Sequence, residues 1–445
     1  MAGLIQDIEL FGADFPRLEG LRQKGRVAFR LPTAKTEAWK YTRLHNLKAE
    51  DFVVSASKFI AEFEGETCSD CREAAESCHC GKDGCEGCNC NGHDYGPDCR
   101  LDLPFNAWQL HFYNGQFVPV YPALPRGVEV ITLMEALLSG EENHLLGKYI
   151  ELNDYPFAAL NTAYLEEGLF IRIGRGVRLE RPLMLINHTD CGEINQMSHM
   201  RFLVVIEEEA AADLLEYYHY SGDAKSRYFN NIVSEIYLGT GAVLNHCKLQ
   251  DEAFKAVHIA LTTVQVRGGG IYNGFCLQKG ADLGRNETRV RLVDREAKAE
   301  VNAAYVMNGW ATLDTTTDIE HLAERTFSSQ LIKGVVGGEA KGVFQGKIRI
   351  APDAQETEGR QLHKAILLSD NAEVDVKPEL EIYADNVKCS HGAACGELDQ
   401  EQLFYMRSRG IGEDEARRIL IDAYLDDVIG RVQQPEIREW LRSRV

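Results

Sequence analysis

The sequence I-V-S-E-I-Y-L spans residues 232–238 and is followed by Gly239 and Gly241. Positions 232, 234, 236 and 238 share one parity, and three of these four residues are aliphatic. A period of two is that of a β-strand with one face buried, and glycines are typical of the turn that ends it. This stretch therefore predicts a strand closed by a glycine turn.

The same texture extends from about residue 166 to 395. Short apolar runs separated by glycines recur there without a helical pattern between them, which predicts an all-β sandwich, barrel or solenoid. We find no strict repeat length, so spacing alone does not choose among the three. The other runs are 169–173, 183–186, 202–206, 259–266 and 343–350.

Helical patterns flank this predicted core. Residues 1–165 are interpreted as a mixed, mainly helical region with an insertion at 65–101, and residues 131–138 have the composition of a helix with a polar start. Residues 396–445 predict three helices: the first is capped by Asp399, the second opens on acidic residues, and the third begins at Pro435.

Composition limits the class of protein. The chain has 445 residues, 44% of them hydrophobic, and a formal net charge of −20. That charge argues against nucleic-acid or anionic-membrane partners. The first seven residues do not resemble a signal peptide, and no run of 18 apolar residues occurs. We expect a cytoplasmic protein whose cysteines are thiols or metal ligands.

Eight of the 13 cysteines lie in the insertion, which is otherwise rich in Gly, Asp, Asn and Glu. Two Cys-x-x-Cys pairs supply the ligand spacing of a tetrahedral metal site, so the insertion predicts bound zinc or iron. A reduced or disordered loop and a set of disulfides stay open as alternatives. The eight are Cys68, Cys71, Cys78, Cys80, Cys85, Cys88, Cys90 and Cys99.

A second candidate metal pair lies near the C-terminus, where Cys389 and His391 are two residues apart. In an extended segment their side chains point the same way, and both types are good ligands for iron and zinc. Two ligands do not close a tetrahedral site, so further ligands must come from elsewhere. The alternative is that His391 is a satisfied core histidine. Cys191, Cys247, Cys276 and Cys395 stand alone and are interpreted as small core residues.

Motifs of common enzymes are missing. The Gly346-Lys347 pair lacks the flanking residues of a phosphate-binding loop, and zincin and nucleophile-elbow motifs do not occur. We therefore expect no ATPase activity and no enzyme activity of the chain's own. A carbohydrate-active β-helix enzyme would need paired carboxylates, and none stands out. A metal-storage or metal-sensing protein acting through the insertion is the other alternative.

Several blocks, in order over almost the whole chain, resemble the SufB/SufD family of iron–sulfur cluster assembly proteins. The insertion at 65–101 departs from the family pattern, so the resemblance says nothing about it. The matching blocks are 31–42, 112–117, 124–128, 157–161, 342–348, 361–369, 378–393 and 402–411.

The resemblance implies a right-handed parallel β-helix and a non-ATPase scaffold subunit that pairs with a SufB-like paralogue and a SufC-like ATPase. It also implies that His391, with or without Cys389, faces the paralogue and helps to hold iron or a nascent cluster. On the second C-terminal helix, an apolar stripe with Ile419, Leu420 and Tyr424 has two interpretations. It docks the ATPase, as the resemblance implies, or it packs on the β-helix.

Excising residues 65–101 is predicted to lower the zinc or iron content of protein purified anaerobically, because the thiolates of this segment are its only evident means of ordering. Elemental analysis of the intact and excised proteins measures the difference. Equal metal content in the two would contradict the prediction.

Overall fold

The computed structural model describes residues 15–33, 35–42, 52–55, 101–140, 144–190, 194–220 and 227–445, together with residues 4–6, 10, 44 and 47. The cysteine-rich segment from Cys68 to Cys99 lies outside the described residues, so its predicted metal binding stays a prediction.

Strands dominate the described part of the chain. They are β1 (Val53–Val54), β2 (Trp108–Tyr113), β3 (Gln116–Phe117), β4 (Val128–Thr132), β5 (Glu167–Ile173), β6 (Leu183–Thr189), β7 (Gln196–Ile206), β8 (Ala211–Tyr220), β9 (Tyr228–Leu238), β10 (Val243–Glu252), β11 (Ala256–Val266), β12 (Ile271–Gly280), β13 (Leu283–Leu292), β14 (Lys298–Met307), β15 (Thr312–His321), β16 (Phe327–Val336), β17 (Lys341–Ile350), β18 (Thr357–Leu367), β19 (Glu373–Ile382) and β20 (Val387–Gly396). The α-helices are α1 (Pro16–Ala28), α2 (Leu133–Ser139), α3 (Pro156–Ala163), α4 (Gln400–Ser408), α5 (Glu413–Ile429) and α6 (Pro435–Arg442), with a short 3₁₀ helix at Glu37–Trp39.

From β5 onward the chain alternates between two sheets. Odd-numbered strands build one sheet and even-numbered strands the other, and each strand pairs in parallel with the strand two further along the chain. Each turn of the coil thus adds one strand to each sheet, for about seven turns. The predicted parallel β-helix is confirmed.

The turns differ in length, which explains why the sequence shows no strict repeat. Odd strands from β9 onward begin at residues 228, 256, 283, 312, 341 and 373. Gly241, in the turn predicted from the opening stretch, has a φ of 68° and lies where a side chain would collide with Glu209. Glycine adopts that left-handed conformation without steric cost, and a side chain there would have to displace the Glu209 carboxylate.

Side chains of equal parity stack along the inside of the coil. Leu244, Tyr272 and Ala299 occupy one register position on β10, β12 and β14, and all three are buried in one apolar cluster. Because parallel register is kept from turn to turn, a residue's register position identifies the face on which it lies.

The interior also holds buried polar groups. His246 Nε2 lies 2.8 Å from Glu216 Oε1, and Lys248 Nζ lies 3.5 Å from Glu216 Oε2. Burial alone would raise the pKa of Glu216, but Lys248 and His246 hold that pKa well below its usual range. Glu216 is therefore a buried carboxylate with its charge compensated, as burial requires.

Residues 36–42, which we call the N-terminal strap, cross the outer face of the odd-numbered sheet. Arg285 on β13 stacks on the ring of Trp39 at 4.3 Å from its centroid and forms an ion pair with Asp314 on β15. The hydroxyl of Thr42 donates to the same carboxylate. Asp314 is fully buried, so these contacts compensate its charge.

The strap continues toward the last turns of the coil. Gln345 on β17 donates to the carbonyl of Ala38 at 3.2 Å, and Lys377 on β19 bonds to Glu37 at 2.7 Å. One short N-terminal segment thus contacts four successive odd-numbered strands, which explains the structural part played by the block at 31–42.

The helix predicted over 131–138 is displaced. It begins at Leu133, because Thr132 and Glu135 form a capping box and Ile131 belongs to strand β4. The predicted C-terminal helices are present: Asp399 caps α4 through two backbone N–H groups, and α6 begins at Pro435.

Helices α5 and α6 pack on the outer face of the even-numbered sheet. Leu425 and Val428 of α5 and Trp440 of α6 are buried in a cluster with Tyr217 of β8, whose ring centroid lies 5.3 Å from that of Trp440. The C-terminal helices therefore cover the side of the coil and leave its end open.

Asp314→Ala is predicted to lower the free energy of unfolding by about 1–3 kcal/mol, because it removes one of the two carboxylate partners of the buried Arg285 guanidinium and leaves only Glu287. Chemical denaturation measures the loss. The control is Arg325→Ala, which breaks the exposed Arg325–Glu356 pair and is expected to leave stability unchanged. Equal effects of the two substitutions would contradict the inference that the buried Arg285–Asp314 pair stabilises the fold.

Candidate functional site

Cys389 and His391 lie on β20, the last strand of the even-numbered sheet. Within the described residues β20 pairs on one edge only, with β18, and β19 pairs only with β17. The final turn therefore exposes two ten-residue strand edges whose backbone donors and acceptors have no strand partner in the described chain. Such edges are sites where another chain can add its strands.

The side chains of Cys389 and His391 continue the inner face of the coil. Cys389 on β20 occupies the same register position as Gly359 on β18, Ser328 on β16 and the buried Ala299 on β14. Cys389 is half-buried beside the apolar cluster of the last turns, whereas His391 is exposed. The placement of His391 does not fit the alternative of a core histidine, because its side chain is exposed and no further turn covers it among the described residues.

The same face carries an apolar rim on β19. Val376, Pro378 and Leu380 are half-buried because no further turn covers them in the described part of the chain, although their register partners on β17 include the fully buried Phe344 and Ile348. The end of the coil thus presents inner-type side chains to solvent, with the Cys389–His391 pair beside an apolar surface.

Cys395 is not the small core residue that the sequence predicts, because its side chain is exposed. It shares the parity of Cys389 and His391 on β20, and it is exposed. Its even spacing from Cys389 predicts that both side chains lie on the same face of β20. The sequence does not show that this face is left uncovered at the last turn. Cys247, by contrast, is buried and Cys276 half-buried, and both pack within the core as interpreted.

Burial raises the pKa of the Cys389 thiol and that of the Cys395 thiol. Both are therefore protonated at neutral pH, and a metal ion bound by either must displace a proton. Among the described residues, no group of three or more His, Cys, Asp and Glu side chains could hold a metal ion. The Cys389–His391 pair would need outside ligands to complete a site, as the sequence already indicated.

The carboxylates inside the coil do not form an exposed pair. Glu216 is bonded to His246, and Glu252 accepts from Asn230 at 2.6 Å and lies 2.9 Å from His258. Both glutamates are buried. Neither can reach a sugar outside the coil, which disfavours these two residues as catalysts of a carbohydrate-active enzyme.

The residues predicted to dock the ATPase do not share one surface. Ile419 is 39% exposed and Leu420 is half-buried on the outer side of α5, beside α4. Tyr424 instead faces the coil, where the Lys333 ammonium of β16 lies 4.3 Å from its ring centroid. Sequence reasoning missed the exposed Phe404 and Tyr405 of α4, which are 73% and 59% exposed.

A shallow surface joins Phe404 and Tyr405 to Leu420, with polar residues of α4 at its edge, and does not include Ile419. Phe404, Tyr405 and Met406 of α4 and Leu420 of α5 line one cavity of about 900 Å³. Large exposed aromatic side chains grouped in this way mark protein-interaction surfaces. We call this group the α4–α5 surface.

A parallel β-helix that ends in open strand edges, with a half-buried Cys389 and an exposed His391 beside them, places this chain in the class of β-solenoid proteins. Comparison with known proteins specifies the family. The family model described as SUF system FeS cluster assembly, SufBD core domain, matches residues 187–424.

Relatives match over most of the chain. A Synechocystis sp. protein named as an iron–sulfur cluster assembly SufBD family protein is 31% identical over 94% of this chain and 87% of its own length. The iron–sulfur cluster assembly protein SufD of Escherichia coli is 28% identical over 93% and 88%. The SufD protein of Bacillus subtilis is 25% identical over 68% and 70%.

The chain belongs to the SufB/SufD family. The resemblance seen in the sequence blocks is thereby confirmed, and with it the assignment to the SUF system of iron–sulfur cluster assembly. None of the helices in the described residues combines the length and the apolar character needed to cross a membrane.

Proposed function

We propose that this chain is a SufD-type scaffold subunit of a cytoplasmic SUF complex, without turnover chemistry of its own. The observation that carries the proposal is the open last turn of the β-helix, where Cys389 and His391 lie next to two unpaired strand edges. A SufB-like paralogue would extend both sheets across that end.

Pairing at this end would change the environment of the Cys389–His391 pair. Strand addition would cover the apolar rim of β19 and bring side chains of the paralogue opposite β20. Iron, and later the nascent cluster, is then the cargo held between His391, with or without Cys389, and ligands of the paralogue. The coordination set that two ligands leave incomplete would be closed across the interface.

The ATPase would bind at a different place, the α4–α5 surface. Its exposed aromatic side chains lie on the outer side of the C-terminal helices, whose inner side packs on the coil. Motion of an ATPase bound there could be transmitted through α5 to the even-numbered sheet and so to the interface with the paralogue.

His391→Ala is predicted to abolish cluster maturation in cells while leaving the melting temperature unchanged, because the exposed imidazole acts as a ligand and contributes little to packing. Maturation of a reporter iron–sulfur enzyme and thermal unfolding are measured together. The matched control is His144→Ala, which removes another exposed histidine. Normal maturation by a folded His391→Ala protein would refute the proposed ligand.

The Phe404→Ala/Tyr405→Ala double variant is predicted to weaken binding of the ATPase at least about tenfold, because exposed aromatic anchors dominate protein interfaces. Titration calorimetry with the purified ATPase measures this. Phe254→Ala is the control, since Phe254 is 69% exposed in the turn between β10 and β11. Point variants are preferred to a truncation after residue 396, which would uncover the buried side of α5. Unchanged affinity would place the docking surface elsewhere.

A further inference from the structure

Gln361 lies directly beneath His391. The two residues are register partners on β18 and β20, so their side chains project from the same face of the coil in adjacent strands about 4.8 Å apart. Gln361 is only 2% exposed, whereas His391 above it is exposed. Gln361 is therefore the last buried side chain on the ladder that ends at the candidate ligand.

The amide of Gln361 has no hydrogen-bond partner among the described residues, at either Oε1 or Nε2. A buried amide without hydrogen-bond partners is unfavourable, so such a group is expected to bind a water or a ligand. Only one strand of the even-numbered sheet, β20, follows β18 in the described chain, so this amide lies one layer from the open end.

A glycine on the opposite sheet fixes where this side chain lies. A Cβ atom at Gly346 of β17 would lie 1.5 Å from Nε2 of Gln361, so the amide occupies the space that a larger residue would fill. Gly346, in the block at 342–348, therefore leaves the space that the Gln361 amide occupies. The Gln361 side chain extends across the inside of the coil, one layer below the open end.

Histidines that bind a metal through one ring nitrogen usually donate the other ring N–H to a carbonyl, a carboxylate or a water, which fixes the tautomer. We propose that Gln361 is the positioning residue of His391: its Oε1 accepts the second ring N–H of His391, directly or through one buried water. The hydrogen bond between Gln361 and His391 is independent of the proposed function. Only the binding of metal by His391 rests on that proposal.

Gln330 supplies a matched comparison. It is the register partner of Gln361 on β16, is equally buried, and also has an amide nitrogen without a partner. Its carbonyl, however, accepts from the Thr317 hydroxyl at 2.6 Å and it lies one strand further from His391. A purely structural contribution of buried amides would make the two glutamines equivalent.

The test compares Gln361→Leu, Gln361→Glu and Gln330→Leu in the full chain. Nitrogen-15 spectra of histidine-labelled protein report the ring tautomer of His391, whose signal is identified as the one lost in His391→Ala. We expect a single tautomer in the wild-type and Gln330→Leu proteins, a mixture in Gln361→Leu, and recovery in Gln361→Glu, which keeps an acceptor. Cluster maturation should fall at least about tenfold in Gln361→Leu alone.

An unchanged His391 signal in Gln361→Leu, or an equal change in Gln330→Leu, would overturn the inference. Gln361→Met keeps the unbranched shape and replaces the Leu variant should that protein fail to fold. The tautomer readout needs no metal and no partner. If His391→Ala left maturation intact, the proposed function would fail while the positioning of His391 could still be measured.

Discussion

Backbone pairing between successive turns is the constraint on which the rest of this structure depends. Each strand of the coil satisfies its donors and acceptors with the strands two positions before and after it in the chain, so every turn needs a neighbour on both sides. The first turns are closed by antiparallel β3 and β4. The last turn has no such closure in the described chain. The end that bears Cys389 and His391 is thus defined by unsatisfied pairing as much as by its side chains.

Stacking in register also explains how polar groups are tolerated inside the coil. Glu216, His246 and Lys248 lie on neighbouring even strands, so each compensates the charge or dipole of the next. Removing one member would leave an uncompensated buried group, and such networks are therefore rigid and specific. The amide of Gln361 breaks this pattern near the open end. The inner amides of Gln250, Gln278 and Gln330 each lack a partner at the nitrogen only, because their carbonyls accept hydrogen bonds, whereas Gln361 lacks partners at both polar atoms.

The sequence predicted what depends on local pattern. Period-two runs such as 232–238 gave the strands, Asp399 gave a helix start, and even spacing placed Cys389 and His391 on one face. Pairing of distant turns was out of reach: Thr42 meets Asp314 across 272 residues. The same limit explains why the exposure of Cys395 was not predicted and why the two interpretations of the α5 stripe stayed open. Whether Cys395 is covered, or Tyr424 faces the coil, depends on which turn comes last and on how α5 packs, and neither is encoded within a short window.

The two proposed partner surfaces differ in the kind of interaction that would bind the partner. The last turn would gain backbone pairing from a partner, which is a strong but geometrically strict interaction, whereas the α4–α5 surface offers only side chains on helices. Helix α5 connects them, since its Tyr424 and Asp427 both contact Lys333 of β16, the strand that pairs with β18 beside β20. A displacement of α5 is therefore coupled by a buried lysine to the sheet that ends at His391. A rigid coil would carry that displacement to its open end, because its turns are held in one parallel register.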